Sequence, residues 1–135
     1  MTYVDASVLL RIVLKEPEPV PSWKSLTPLS SEIIRVESLR AIDRARIRFR
    51  ALDEETARHR GDVIAALASF SIVPVSGSIL ERAGDPFPTS LGTLDAIHLS
   101  TALQLRDEFP DMAFATHDQE LALAARSMGF EVLGT

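Results

Sequence analysis

Short runs of β-branched and aromatic residues alternate along this chain with longer stretches of helical periodicity, the pattern of βαβ units feeding a parallel sheet. A first strand covers Thr2 to Val4 and leads directly into Asp5, after which Ala6 to Leu14 reads as a helix. Lys15 to Pro21 holds three prolines, Pro17, Pro19 and Pro21, and is expected to be a loop, because proline fixes φ and removes a donor. An extended piece follows near Leu26 to Ser30. From Glu32 to Leu52 the pattern is helical, with Ile34, Ala41, Ala45 and Leu52 on one stripe and Ile42 and Phe49 on its flank. A second helix is expected from about Glu54 to Ser69, then a strand from Ile72 to Val75 and a Pro/Gly/Ser-rich loop from Asp85 to Gly92. The chain closes with a helix from Thr93 to about Asp107, a strand from Ala113 to Ala115, a helix from Asp118 to Met128 and a strand from Phe130 to Leu133. Gly129 sits where a glycine terminates a helix by taking positive φ. The expected fold class is α/β: a three-layer α/β/α sandwich around a four- to five-stranded, mainly parallel sheet.

Length and composition narrow this further. The 135 residues suit one domain, here read as residues 1–135, and 46% hydrophobic with 24% charged residues is a globular balance. With no cysteine, disulfides, thiolate metal sites and thiol nucleophiles are excluded, which fits a cytoplasmic protein. The first residues lack a basic leader and carry Asp5 inside their apolar run, so they make a poor signal peptide. No stretch approaches the roughly 18–20 apolar residues of a membrane span. The net charge of −5 counts against nucleic-acid binding taken alone, but its distribution is uneven. Eight of the 14 cationic residues, all arginines, lie between Arg35 and Arg60.

Four carboxylates then change the picture. Ligands of open parallel sheets bind beyond the carboxyl ends of the strands, and Asp5 and Asp118 each follow a strand there. Each also suits a helix N-cap, and Thr116 with Gln119 fits a capping box. Asp95 stands in Leu94-Asp95-Ala96-Ile97-His98-Leu99, the start of a helix apolar nearly all round and therefore buried. Burial of an unpaired carboxylate costs several kcal/mol unless it is protonated, hydrogen-bonded or bound to a cation. Glu37 shares a helix side with Arg40, Arg44 and Arg48, and its ordinary reading is a Glu–Arg pair at i, i+3. Gathered in one cleft, such acids repel one another, and a divalent cation relieves the repulsion. All-oxygen ligands suit Mg²⁺ or Mn²⁺, in the manner of phosphodiesterases.

At these residues the chain resembles the PIN-domain ribonucleases, and within them the VapC-type toxins of type II toxin–antitoxin pairs. The likeness is carried by Tyr3-Val4-Asp5-Ala6-Ser7-Val8-Leu9-Leu10, by Ser30-Ser31-Glu32-Ile33-Ile34-Arg35-Val36-Glu37, by Leu94-Asp95-Ala96-Ile97-His98-Leu99, and by Ala115-Thr116-His117-Asp118 with Leu121, Ala124 and Ala125. The segments occur in the family's order and span almost the whole chain, while Leu52 to Gly92 matches only in general character. The resemblance implies that Asp5, Glu37, Asp95 and Asp118 are catalytic, metal-binding acids, with the hydroxyls of Ser7 and Thr116 in support. It implies a Mg²⁺- or Mn²⁺-dependent endoribonuclease in which metal-activated water cleaves RNA phosphodiester bonds. It further implies a homodimer and a cognate antitoxin laid over the cleft.

Other signals weigh less. His98 is expected to be a hydrogen-bonded core residue, His117 to point away from the cleft, and His59 to be solvated. Arg40, Arg44 and Arg48 are candidates for RNA phosphate contact, against the ordinary reading of a solvated face with partners such as Asp43. Trp23 is expected to staple its own loop. A response-regulator receiver would need an adjacent acidic pair after the first strand and a late lysine, but the lysines are Lys15 and Lys24. A haloacid-dehalogenase-type phosphatase would need a second aspartate two residues after Asp5, where Ser7 stands. The competing readings that survive are a non-catalytic PIN-like binding module and a DNA-directed nuclease.

Overall fold

A computed structural model of the chain describes residues 1–20 and 25–135. Trp23 and Pro21, about which the sequence raised expectations, lie outside the described residues. Among the described residues five strands form one sheet: β1 (Thr2–Val4), β2 (Pro28–Ser31), β3 (Ser71–Val73), β4 (Ala113–Ala115) and β5 (Val132–Leu133). Their order across the sheet is β3-β2-β1-β4-β5, and every neighbouring pair is parallel. Strand β2 opens on Pro28, a position where the missing N–H does least harm to a ladder. Among the described residues the helices are α1 (Ala6–Val13), α2 (Ile33–Phe49), α3 (Asp53–Leu67), α4 (Gly77–Ala83), α5 (Thr93–Leu105) and α6 (Gln119–Ser127). This is the three-layer α/β/α sandwich that the sequence pattern led us to expect.

Side chains on a strand point to alternate faces, and the core divides accordingly. Val4 and Ala115 pack with Val8, Leu9 and Val13 of α1, Ile34, Leu39 and Ile42 of α2, and Val63 of α3. Tyr3, Leu29 and Phe114 pack on the other face with Leu99 and Ala102 of α5 and Leu121, Ala124 and Ala125 of α6. Helix α5 is buried without a break from Ala96 to Ala102, as an all-round apolar helix must be. Helix α6 ends at Ser127 and is capped by Met128, followed by Gly129 at φ +94°, where a side chain would be strained. Among the described residues no helix is long and apolar enough to cross a membrane.

Three expectations need correction. Helix α2 stops at Phe49, because Arg50 turns into the left-handed region at φ +50°. Its buried residues are Ile34, Ser38, Leu39 and Ile42, while Phe49 and Leu52 are 71% and 72% exposed. Length explains the failed stripe: 17 residues of helix span about 25 Å, whereas the four residues of the longest strand reach roughly 13 Å. The second half of α2 therefore runs past the sheet. Helix α4 was unexpected; Ser76 caps it by accepting from the Ile79 amide at 3.3 Å, and Ile79 is its one buried residue. The last strand is confined to Val132–Leu133, with Phe130 buried ahead of it.

Candidate active site

The carboxyl ends of β1 and β4 lie side by side, and the residues that follow them are joined. Asp5 is buried at the N-cap of α1, where its side chain accepts from the Val8 amide. Its Oδ1 also accepts from Ser7 Oγ at 2.6 Å, and its Oδ2 from Thr116 Oγ1 at 2.7 Å. Thr116 Oγ1 accepts in turn from the Asp118 amide at 3.0 Å, and Ser7 Oγ from the His117 amide at 2.9 Å. Burial is the strongest influence on Asp5 and pushes its carboxyl above the usual range, against the donors Ser7, Thr116 and Val8 and the nearby His98. Asp118 caps α6 by accepting from the Leu121 amide at 2.8 Å. The capping box of Thr116 and Gln119 does not form, because the Thr116 hydroxyl is turned to Asp5.

Asp95, in the first turn of α5, is half-buried and accepts no hydrogen bond among the described residues. Its pKa is pushed up to about 6, first by burial and then by the charges of Asp118, Asp5 and Glu37. The four acids thus share one electrostatic neighbourhood.

Glu37, on the second turn of α2, does not pair with Arg40. Its Oε1 lies 2.7 Å from Nε2 of the fully buried His98 on α5, while Arg40 sits 3.6 Å from Asp43. The other ring nitrogen of His98 lies 2.7 Å from the Tyr3 hydroxyl, which also accepts from the Ser31 amide at 3.2 Å. Burial drives the Tyr3 phenol well above its ordinary pKa, so it stays protonated. His98 is the hydrogen-bonded core residue that was expected, but its attachment to Glu37, and the part played by Tyr3, were missed. The available signal was that a buried tyrosine and a buried histidine both require polar partners. His117 bonds through Nδ1 to the Gly134 carbonyl at 2.8 Å, toward the last residues of the chain. His59 is half-buried, not solvated, in a cavity of about 420 Å³ with Phe49 and Leu52.

The arginines divide. Arg40 joins Arg35, Arg46 and Arg60 around a cleft of about 490 Å³ between α2 and α3. Arg44 and Arg48 do not line it, and the guanidinium of Arg48 lies 5.3 Å from the centre of the Phe49 ring beside it.

The acids fit a hard divalent cation in donor chemistry, since all are carboxylates, and in electrostatics, since the pKa of Asp95 is raised partly by like charge that a cation would neutralise. Among the described residues no three acidic or histidine side chains already converge as a finished coordination sphere.

A parallel sheet with a buried acid directly after its central strand, an exposed acid beyond the neighbouring strand and a half-buried acid on a helix beside them defines a class of α/β domain with its chemistry at that edge. The chain belongs to the PIN domain family, whose model matches residues 2–127. It is 32% identical over 136 residues to ribonuclease VapC46 of Mycobacterium tuberculosis (strain ATCC 25618 / H37Rv), covering 97% of this chain and 95% of that protein. It is 31% identical over 138 residues to ribonuclease VapC47 of Mycobacterium tuberculosis (strain CDC 1551 / Oshkosh), with 96% and 93% covered. In fold it is similar to a chain of a toxin–antitoxin complex from Klebsiella pneumoniae, with a TM-score of 0.65, 19% identity, and 90% and 91% of the two chains covered. A chain of VapBC2 from Rickettsia felis, solved bound to a promoter DNA fragment, gives a TM-score of 0.62 at 13% identity, with 98% and 97% covered.

Proposed function

We propose that this chain is an endoribonuclease, the toxin of a toxin–antitoxin pair, which hydrolyses RNA phosphodiester bonds with Mg²⁺ or Mn²⁺ held by Asp5, Asp95, Asp118 and Glu37. The observation that carries this reading is the gathering of Asp5, Asp118 and Glu37 close enough to Asp95 for their charges to act on it, at one sheet edge in a PIN domain. A divalent cation bound there supplies an acidified water and neutralises charge developing on the phosphoryl group. Asp5 is the fixed member, held by Ser7, Val8 and Thr116. Ser7 and Thr116 act by orienting that carboxylate. Asp95 contributes the carboxyl most readily freed for a ligand, since it has no competing hydrogen bond among the described residues. The cleft that gathers Arg35, Arg40, Arg46 and Arg60, with Asp43 on its wall, is the surface offered to an RNA backbone, its Arg40 and Arg46 exchanging their partners Asp43 and Asp53 for phosphate, which leaves Arg44 and Arg48 with a lesser share. Relatives named as ribonucleases VapC support the substrate class, and the toxin–antitoxin complexes among the fold's neighbours support an antitoxin partner. A homodimer and a cytoplasmic site of action complete the reading.

The test is incubation of total tRNA and rRNA with Mg²⁺ or Mn²⁺, with and without EDTA, comparing the wild type with Asp95→Asn. Discrete fragments that vanish on chelation and in the variant are expected. Folded wild-type protein that leaves RNA intact at millimolar Mn²⁺ would instead mark a binding module, and relief of cleavage by competing DNA, with the DNA itself cut, would mark a DNA-directed nuclease.

A further inference from the structure

Glu37 is the most loosely built of the four acids by sequence, a long side chain on a helix, yet it is tethered through a buried chain of hydrogen bonds. That chain has a direction set by proton inventory. Ser31 N–H donates to the Tyr3 hydroxyl at 3.2 Å, so the phenol's own proton is free to go to His98 Nδ1 at 2.7 Å. Glu37 Oε1 can only accept, so Nε2 carries a proton and donates to it at 2.7 Å. No donor faces a donor anywhere along it. The tautomer is assigned from this network, as hydrogen positions must be. The rings are held as well: Tyr3 stacks on Phe114 with centroids 5.1 Å apart at 17°, and meets His98 edge-on at 5.8 Å and 74°. One carboxylate oxygen of Glu37 is thereby occupied, and Oε2 has no partner among the described residues.

We infer that Tyr3 and His98 are positioning residues, a relay from β1 and β2 that fixes the rotamer of Glu37 so that its second oxygen is available to a divalent cation. This rests on the metal site proposed above. The polar pair is matched to the carboxylate at its end. Outer partners that orient a metal-binding side chain typically change metal affinity by about 10- to 100-fold when removed.

Mn²⁺ binding to the metal-free protein, read by calorimetric titration and by the rise in melting temperature, tests the relay with two opposed substitutions. His98→Gln keeps an amide donor near the position of Nε2, whereas His98→Asn reaches only as far as Nδ1, keeping a partner for Tyr3 and withdrawing the one for Glu37. The expected result is a loss of Mn²⁺ affinity of about tenfold or more in His98→Asn, with His98→Gln close to wild type. Equal, wild-type affinity in both variants overturns the relay, whatever happens to the melting temperature without metal. Should His98→Asn fail to fold, Tyr3→Phe decides: it leaves the imidazole unoriented, and undiminished Mn²⁺ affinity there overturns the inference. Wild-type protein that binds no Mn²⁺, or that binds it no better than Asp95→Asn does, removes the metal site and the relay together. Loss in Asp95→Asn without contrast among the His98 variants removes the relay alone.

Discussion

Asp5 and Asp95 sit at the same edge of the sheet and carry the same carboxyl group, but the protein treats them in opposite ways. Asp5 receives bonds from two hydroxyls and a backbone amide, and its cap starts a helix. Asp95 receives none among the described residues and faces the charges of Asp118, Asp5 and Glu37. Burial raises the pKa of both. Only at Asp5 is the burial accompanied by a set of donors, so Asp5 supports the fold as well as the site, whereas Asp95 burdens the metal-free fold for the sake of the site.

The largest effect that distinguishes them is on chemistry without loss of structure. Asp95→Asn is expected to lower RNA cleavage by on the order of 10³-fold, the scale of several kcal/mol of transition-state stabilisation. Its melting temperature without metal at pH 7 should be no lower than that of the wild type. A folded Asp95→Asn that still cleaves takes Asp95 out of the mechanism. Asp5→Asn should abolish activity too, but it also turns an amide toward Ser7 or Thr116, one of which loses its acceptor. A stability loss of about 1–3 kcal/mol in urea unfolding is expected, and none at all would break the contrast drawn here. Thr116→Val deletes the donor to Asp5 and the acceptor for the Asp118 amide. It should cost about 1 kcal/mol and reduce cleavage only partly, in a side-by-side assay with Ser7→Ala.

The smallest effect is on pH dependence. Asp95 titrates at about 6 in the folded chain against an ordinary 3.8, so the folded state holds that proton more tightly than the unfolded chain does. The corresponding stability is fully present below about pH 4 and lost as pH rises through about 6, and Asp5 acts in the same sense. Thermal melts of metal-free protein should shift upward on acidification from pH 7 toward pH 5, and less so in Asp95→Asn. An identical shift in that variant would show that other groups carry it.

How much of this could be read in the sequence follows from how local each signal is. Asp5 was legible because it follows a strand directly, Asp118 because it comes shortly after one, and Asp95 because a carboxylate stands out in an apolar helix. The bond between Glu37 and His98 was not, since a helical wheel shows only neighbours on one helix and the partner lies 61 residues away. The stripe assigned to α2 failed because periodicity says which residues share a face, but not where the sheet beneath that face ends. Helix α4 was hidden among glycines, prolines and serines, with Ile79 alone facing inward and no repeat to read; Ser76 was the one available mark of its start. The edge strands β3 and β5 are short, and their boundaries were drawn too generously for the same reason.

The strand order has a consequence for how the molecule comes into being. Strand β1 precedes the other described strands in the chain and lies in the middle of the sheet, and the bond from Thr116 to Asp5 joins residues 111 apart. Closing so long a loop is entropically unfavourable until β4 offers its ladder, and folds dominated by such distant contacts assemble slowly. On the ribosome, a nascent chain that has not yet exposed β4 holds all of α1 through α5 and still lacks the corner that fixes Asp5. The acid edge is therefore completed only once β4 has joined β1, and a translation product truncated before β4 is born without it.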